Sequence, residues 1–141
     1  MRDKRIIIIE DDPHLGWLVQ VRLQQAGYHA SVAGDGAAGI RLFLSEGADL
    51  VLLDIDLPVM NGMEVLARVR KASNVPVVLM TAYLKQLQDL RTMGLDQEHY
   101  IAKPFSPKDL VARVECLLSS DAAETAKNHT ELLQKATGRT T

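Results

Sequence analysis

Four positions in the 141-residue chain place chemically capable side chains directly after an aliphatic run, and a fifth does so weakly. Glu10-Asp11-Asp12 follow Ile6 to Ile9, and Asp54-Ile55-Asp56 follow Leu50 to Leu53. Thr81 follows Pro76 to Met80, and Lys103-Pro104 follow Tyr100 to Ala102. Gly34-Asp35, after His29 to Ala33, is the weak fifth. If the acidic groups meet, each close pair of carboxylates repels by about 1–4 kcal/mol at 4 Å, depending on the effective dielectric. Such a cluster calls for a cation, and an all-oxygen ligand set without His or Cys selects a hard one, Mg²⁺ before Zn²⁺. Lys103 adds a fixed positive charge that can pair first with a carboxylate and later with a phosphoryl oxygen. The Thr81 hydroxyl can donate to the same oxygen. Acids, Mg²⁺, a lysine and a hydroxyl together describe phosphoryl-transfer chemistry.

For these side chains to meet, the elements carrying them must end at one rim. Arg5–Ile9, Leu50–Leu53 and Pro76–Met80 are continuous apolar runs rather than alternating ones, which predicts strands buried on both faces. His29–Ala33 and Tyr100–Ala102 are shorter and more polar strand candidates. Helical spacing lies between them. Leu15, Leu18, Val19, Leu23 and Ala26 mark a first helix, opened by Asp12-Pro13 and closed by Gly27. Ala37, Ile40, Phe43 and Leu44 mark a second, and Val65, Leu66 and Val69 a third after Asn61-Gly62. Leu84, Leu87, Leu90 and Met93 mark a fourth, ending near Gly94. Leu110, Val111, Val114, Leu117 and Leu118 mark a fifth, begun by the capping box Ser106-Pro107-Lys108-Asp109. Alternating strands and helices predict an α/β fold: a single doubly wound, five-stranded parallel sheet with five helices. Strand order 2-1-3-4-5 would put strands one and three at the centre and gather the acids, Thr81 and Lys103 at the carboxyl rim, where such sheets bind ligands. The domain is expected to span residues 1–119. Residues 120–141 hold only Leu132 and Leu133 as large apolar residues and are expected to be a tail or linker.

These blocks resemble the receiver domain of two-component response regulators, a CheY-like family. The resemblance rests on Ile6 to Pro13, Leu53 to Gly62 with its Asp54, Asp56, Pro58 and Asn61, Met80-Thr81-Ala82, and Tyr100 to Phe105, all in order. It implies that Asp54 accepts a phosphoryl group from a sensor histidine kinase or phosphotransfer protein. It also implies Mg²⁺ held by Asp11 and Asp54 through side chains, by Asp56 through its backbone carbonyl, and by Glu10 through water. Lys103 and Thr81 would serve the transfer, Thr81 and Tyr100 would form a switch pair, and the Lys103–Pro104 bond would be cis. Such a domain catalyses only its own phosphorylation and dephosphorylation and is otherwise not an enzyme. Phosphorylation would bias the face made by helix four, strand five and helix five, which in relatives also supports homodimers. Pro107 to Val114 resembles helix five of receivers that drive DNA-binding domains. Either an output domain follows the tail, making this the N-terminal part of a transcriptional regulator, or the regulator acts alone by protein contact.

Other readings are weighed against that one. Asp54-Ile55-Asp56 also resembles the D-x-D motif of Mg²⁺-dependent haloacid-dehalogenase-like phosphatases, but those carry it on the first strand and place Thr or Val where Leu57-Pro58 stands. A receiver-like interaction module that never needs phosphate is the other alternative. Gly34 to Gly39 formally reads G-x-G-x-x-G, yet it follows strand two and would turn Asp35 toward a pyrophosphate; a turn with Gly36 starting a helix fits better. The four histidines show no metal-ligand spacing, and Cys116, the one cysteine, can form neither an internal disulfide nor a structural zinc site. A net charge of −2 gives no footprint for nucleic acid contact. No apolar run is long enough for a membrane span or signal core, so a cytoplasmic domain is expected.

Overall fold

A computed structural model describes residues 3–119; the expected tail at 120–141 lies outside them. The strands are β1 (Arg5–Ile9), β2 (His29–Ala33), β3 (Leu50–Asp54), β4 (Val77–Thr81) and β5 (Tyr100–Ala102). The helices are α1 (Pro13–Gln25), α2 (Gly36–Glu46), α3 (Gly62–Ala72), α4 (Leu84–Thr92) and α5 (Pro107–Leu118), with a short 3₁₀ turn at Gln97–His99. All pairings are parallel and the order is β2-β1-β3-β4-β5, as the strand-end argument requires.

The aliphatic runs are continuous because each strand feeds two cores. Ile7, Ile9, Val51, Leu53, Val77 and Leu79 pack beneath Phe43 of α2, Val65, Leu66 and Val69 of α3, and Leu90 of α4. Their neighbours Ile6, Ile8, Leu50, Leu52, Val78 and Met80 face Val19 and Leu23 of α1 and Leu110, Val114 and Leu117 of α5. Strand β3 runs one residue beyond its aliphatic stretch, so Asp54 is itself the last strand residue, and Thr81 likewise closes β4. Pro76 stays outside β4, consistent with its missing N–H. The apolar pattern of helix four corrects the sequence reading: Leu90 is its one buried residue, and Leu84 and Met93 are exposed.

Helix starts are set by short polar side chains accepting orphan N–H groups. Asp12 accepts from His14 and Leu15, Asp35 from Ala38, Asn61 from Glu64 and Ser106 from Asp109. Asp35 is thus a cap, and the glycines around it form a turn, as the turn reading expects. Gly62 has a different task. A Cβ there would collide with Ile55 Cα and stand 2.5 Å from the Asp54 carbonyl oxygen, both backbone atoms that cannot step aside. Glycine therefore lets α3 close onto the end of β3. Gly62→Ala is expected to cost about 3 kcal/mol, the upper part of the overpacking range, in urea unfolding. Gly34→Ala, where a Cβ meets nothing within 4 Å, is the control and should change little.

Candidate functional site

Each rim residue sits at or just past the last ladder position, with its backbone still tied to the sheet. Glu10 N–H donates to Ala33 O, Ile55 N–H to Met80 O and Lys103 N–H to Thr81 O, at 2.8 to 3.1 Å. These bonds fix where the side chains start. The strand order then brings Glu10, Asp11 and Asp54 together, with one carboxylate oxygen from each lying within 4.8 Å of the others. Glu10 and Asp54 are buried, whereas Asp11 is exposed.

Lys103 reaches into this group from the end of β5. Its Nζ lies 2.7 Å from Glu10 Oε1 and 2.9 Å from Asp54 Oδ2. The Lys103–Pro104 peptide is cis, as the resemblance implies. Asp56 N–H donates to Asp54 Oδ1 at 2.8 Å, and Asp12 N–H donates to Glu10 Oε2 at 3.1 Å. Burial is the largest influence on Glu10 and outweighs its bonds to Lys103 and Asp12, so its carboxyl is pushed up to about 7. Burial also opposes charge on Lys103, but the bonds to Glu10 and Asp54 prevail and its pKa rises above the ordinary value. One ammonium therefore contacts two buried carboxyl groups, Glu10 and Asp54, with the exposed Asp11 in the same cluster, and burial favours the protonated form of Glu10. An all-oxygen cluster short of positive charge suits a hard cation.

On the β4 side, Thr81 Oγ1 lies 2.8 Å from Asp56 Oδ2, and Ala82 N–H points at the same carboxylate oxygen at 3.3 Å. The Asp56 side chain is thus engaged across the rim, a role separate from that expected of its backbone carbonyl. Gln86 of α4, which the sequence analysis does not single out, lies 2.6 Å from the Thr81 hydroxyl. Tyr100 is buried, and its hydroxyl has no hydrogen-bond partner among the described residues. The expected inward turn of this ring therefore starts from a ring that is already inside. Of the histidines, His99 is buried, and burial lowers its pKa to about 4, so it stays neutral in the core. Trp17, one turn into α1, is exposed and stacks on His14 with ring centroids 6.4 Å apart.

A doubly wound sheet thus carries an acid cluster, a lysine and a hydroxyl at its carboxyl rim, and the family match makes this domain a signalling module of the receiver class. The chain belongs to the response regulator receiver domain family, whose model matches residues 6–115. It is 38% identical over 137 residues to the DNA-binding dual master transcriptional regulator RpaA of Synechocystis sp., covering 93% of this chain and 56% of that protein. It is 36% identical over 124 residues to the DNA-binding response regulator MtrA of Mycolicibacterium smegmatis, covering 88% and 54%. The response regulator TrrA of Thermotoga maritima, solved in complex with Mg²⁺-BeF, matches with a TM-score of 0.71 and 34% identity, over 82% of this chain and 99% of that one. The chain spans about half the length of the curated relatives it matches. Among the described residues, no helix is long and apolar enough to cross a membrane.

Proposed function

We propose that this receiver is phosphorylated on Asp54 by a phosphohistidine of a sensor kinase or phosphotransfer protein, and that the phosphoryl group shifts the face formed by α4, β5 and α5. The observation that carries the reading is the convergence on Asp54: Lys103 Nζ at 2.9 Å and the carboxylates of Glu10 and Asp11 within one cluster. In the transfer, an Asp54 oxygen attacks phosphorus, the phosphorus–nitrogen bond of the donor breaks, and the imidazole leaves. Lys103 is already in contact with Asp54 and moves from its carboxylate to a phosphoryl oxygen. The Thr81 hydroxyl donates to another. Asp11 and Asp54 through their side chains, Asp56 through its backbone carbonyl and Glu10 through water would hold Mg²⁺, which would neutralise charge on the phosphoryl oxygens.

The product adds about 1.5 to 2 negative charges at the rim. Recruiting Thr81 and Lys103 to it draws on charge-assisted hydrogen bonds of about 1.5–3 kcal/mol each. Two or three of these reach the roughly 5.5 kcal/mol that moves a 1:99 equilibrium to 99:1. Tyr100 is the second half of the switch. Its buried hydroxyl without a partner makes the inward ring costly by about 1–3 kcal/mol, so the ring exchanges between positions instead of being locked.

The likeness to RpaA and MtrA supports a transcriptional regulator in which DNA contact is left to another domain; pairing of receivers through α4, β5 and α5 and a cytoplasmic location are part of the same proposal. The test is intact mass after incubation with acetyl phosphate and Mg²⁺. A single phosphoryl adduct is expected in the wild type, dependent on Mg²⁺ and absent in Asp54→Asn. No adduct with any donor would reject phosphorylation, and sustained turnover of external phosphate esters would favour a phosphatase instead.

A further inference from the structure

The start of α4 is sparsely anchored. Its N-cap residue, Tyr83, makes no side-chain cap, its first turn carries no acidic residue, and Leu90 is its one buried residue. The other four α-helices among the described residues are all capped by a side chain. What α4 has instead is a group of bonds that meet at one atom of β4. Thr81 Oγ1 lies 2.8 Å from Asp56 Oδ2, 2.6 Å from the Gln86 side-chain amide and 3.1 Å from the Tyr83 N–H it accepts.

A hydroxyl has one proton and two lone pairs. Asp56 and the Gln86 amide oxygen are both acceptors, so they compete for that single proton, and the charged carboxylate is the stronger acceptor. The two ends of an amide have nearly the same shape. When Asp56 takes the proton, the Gln86 amide turned end for end donates through Nε2 to the lone pair that Tyr83 leaves open. In either arrangement Gln86 binds the hydroxyl, and the hydroxyl holds both Tyr83 and Gln86, at the cap and in the first turn of α4.

We infer that Gln86 is a positioning residue: with Asp56 it commits the Thr81 hydroxyl to the start of α4, so that the atom anchoring this helix is also the one a phosphoryl group on Asp54 has to recruit. The second half of this inference rests on the phosphorylation reading; the first does not. When Thr81 turns to a phosphoryl oxygen it gives up Asp56 and Gln86 together, and the first turn of α4 loses its attachment to the sheet. Removing the Gln86 amide should therefore loosen α4 and make Thr81 easier to recruit.

The experiment compares wild type, Gln86→Leu, Gln86→Ala and the control Gln88→Leu, which makes the same chemical change on the exposed side of the helix. Hydrogen exchange is measured first, without phosphodonor. The Tyr83 and Leu87 amides are expected to exchange roughly three- to tenfold faster in both Gln86 variants, the equivalent of one hydrogen bond, and at the wild-type rate in Gln88→Leu. Phosphoryl uptake from acetyl phosphate with Mg²⁺ is then expected to be several-fold faster in the Gln86 variants, whereas a merely structural role would slow it or leave it alone. Unchanged exchange in both Gln86 variants overturns the inference whatever the uptake. Faster exchange with unchanged or slower uptake overturns its second half. A wild type that takes up no phosphoryl group while the variants exchange faster leaves the anchor standing and rejects the phosphorylation reading.

Discussion

Lys103→Met should lower the free energy of unfolding by about 3–5 kcal/mol above neutral pH and without metal, as expected when one partner of a buried ion pair is removed. The lysine side chain is 18% exposed, but its partners Glu10 and Asp54 are 1% and 3% exposed, so solvent cannot take over its role. The acidic cluster would then hold no cation. Methionine keeps the stem and its packing, which isolates the loss of charge. The pH dependence separates this cause from lost packing. Glu10 in the folded wild type titrates near 7 rather than 4.5, and without Lys103 it shifts further up. Lowering the pH through this range puts a proton on Glu10 and relieves the repulsion. The deficit of the variant, read from urea midpoints, is therefore expected to shrink toward pH 5. A deficit that stays constant with pH would mean that packing, not charge, was lost.

Saturating Mg²⁺ is expected to raise stability by about 2.7 kcal/mol at a hundredfold and 4.1 kcal/mol at a thousandfold excess over its dissociation constant, seen as a rise in melting temperature. Asp11→Ala should abolish the rise. Asp11 is exposed, so this substitution removes a ligand without opening the core, and the metal-free variant should melt no lower than the wild type. The sign with pH follows from Glu10. Between about 4.5 and 7 the folded protein keeps a proton that the unfolded chain gives up, so this group destabilises the metal-free fold progressively as pH rises through that window. The gain from Mg²⁺ should accordingly be largest above pH 7 and fade toward pH 5, where binding must displace the proton. The exposed Trp17 beside His14 offers a fluorescence signal for the same titration. An unchanged melting curve at high Mg²⁺ would count heavily against the metal site.

The framework was legible because burial on both faces writes itself as unbroken aliphatic runs. Ile6 to Ile9 and Leu50 to Leu53 are too short for helices of their own and rich in branched residues, which reads as strands, and strand ends then located Glu10, Asp11, Asp54, Thr81 and Lys103 at one rim. Two caps were equally readable, since Asp12 and Ser106 stand at chemically required positions, whereas Asn61, read only as part of a turn, proves to cap α3. What escaped depended on how an element is rotated or how deeply it sits. Leu84 and Met93 follow helical spacing, but α4 turns them outward. Gln86 looks like any solvated glutamine until the rotation of α4 aims it at Thr81. His99 and Arg70 are polar letters that the fold buries; burial keeps the histidine neutral and lowers the arginine to about 10, still charged, with its Nη1 on Ser73 O. Tyr100 was readable as a switch candidate, but its inward position was not, because a ring's rotamer leaves no trace in spacing.

Strand β5 closes one edge of the sheet with only three residues, and the guanidinium of Arg113 takes the carbonyl of Tyr100. An open edge is a template on which another chain can add a strand, and natural sheets blunt it by shortness and by charge. This edge has both protections. Growth of the sheet from one copy into the next is thereby disfavoured on that side, which guards the protein against edge-to-edge aggregation and leaves helical surfaces as the means by which two copies can meet there.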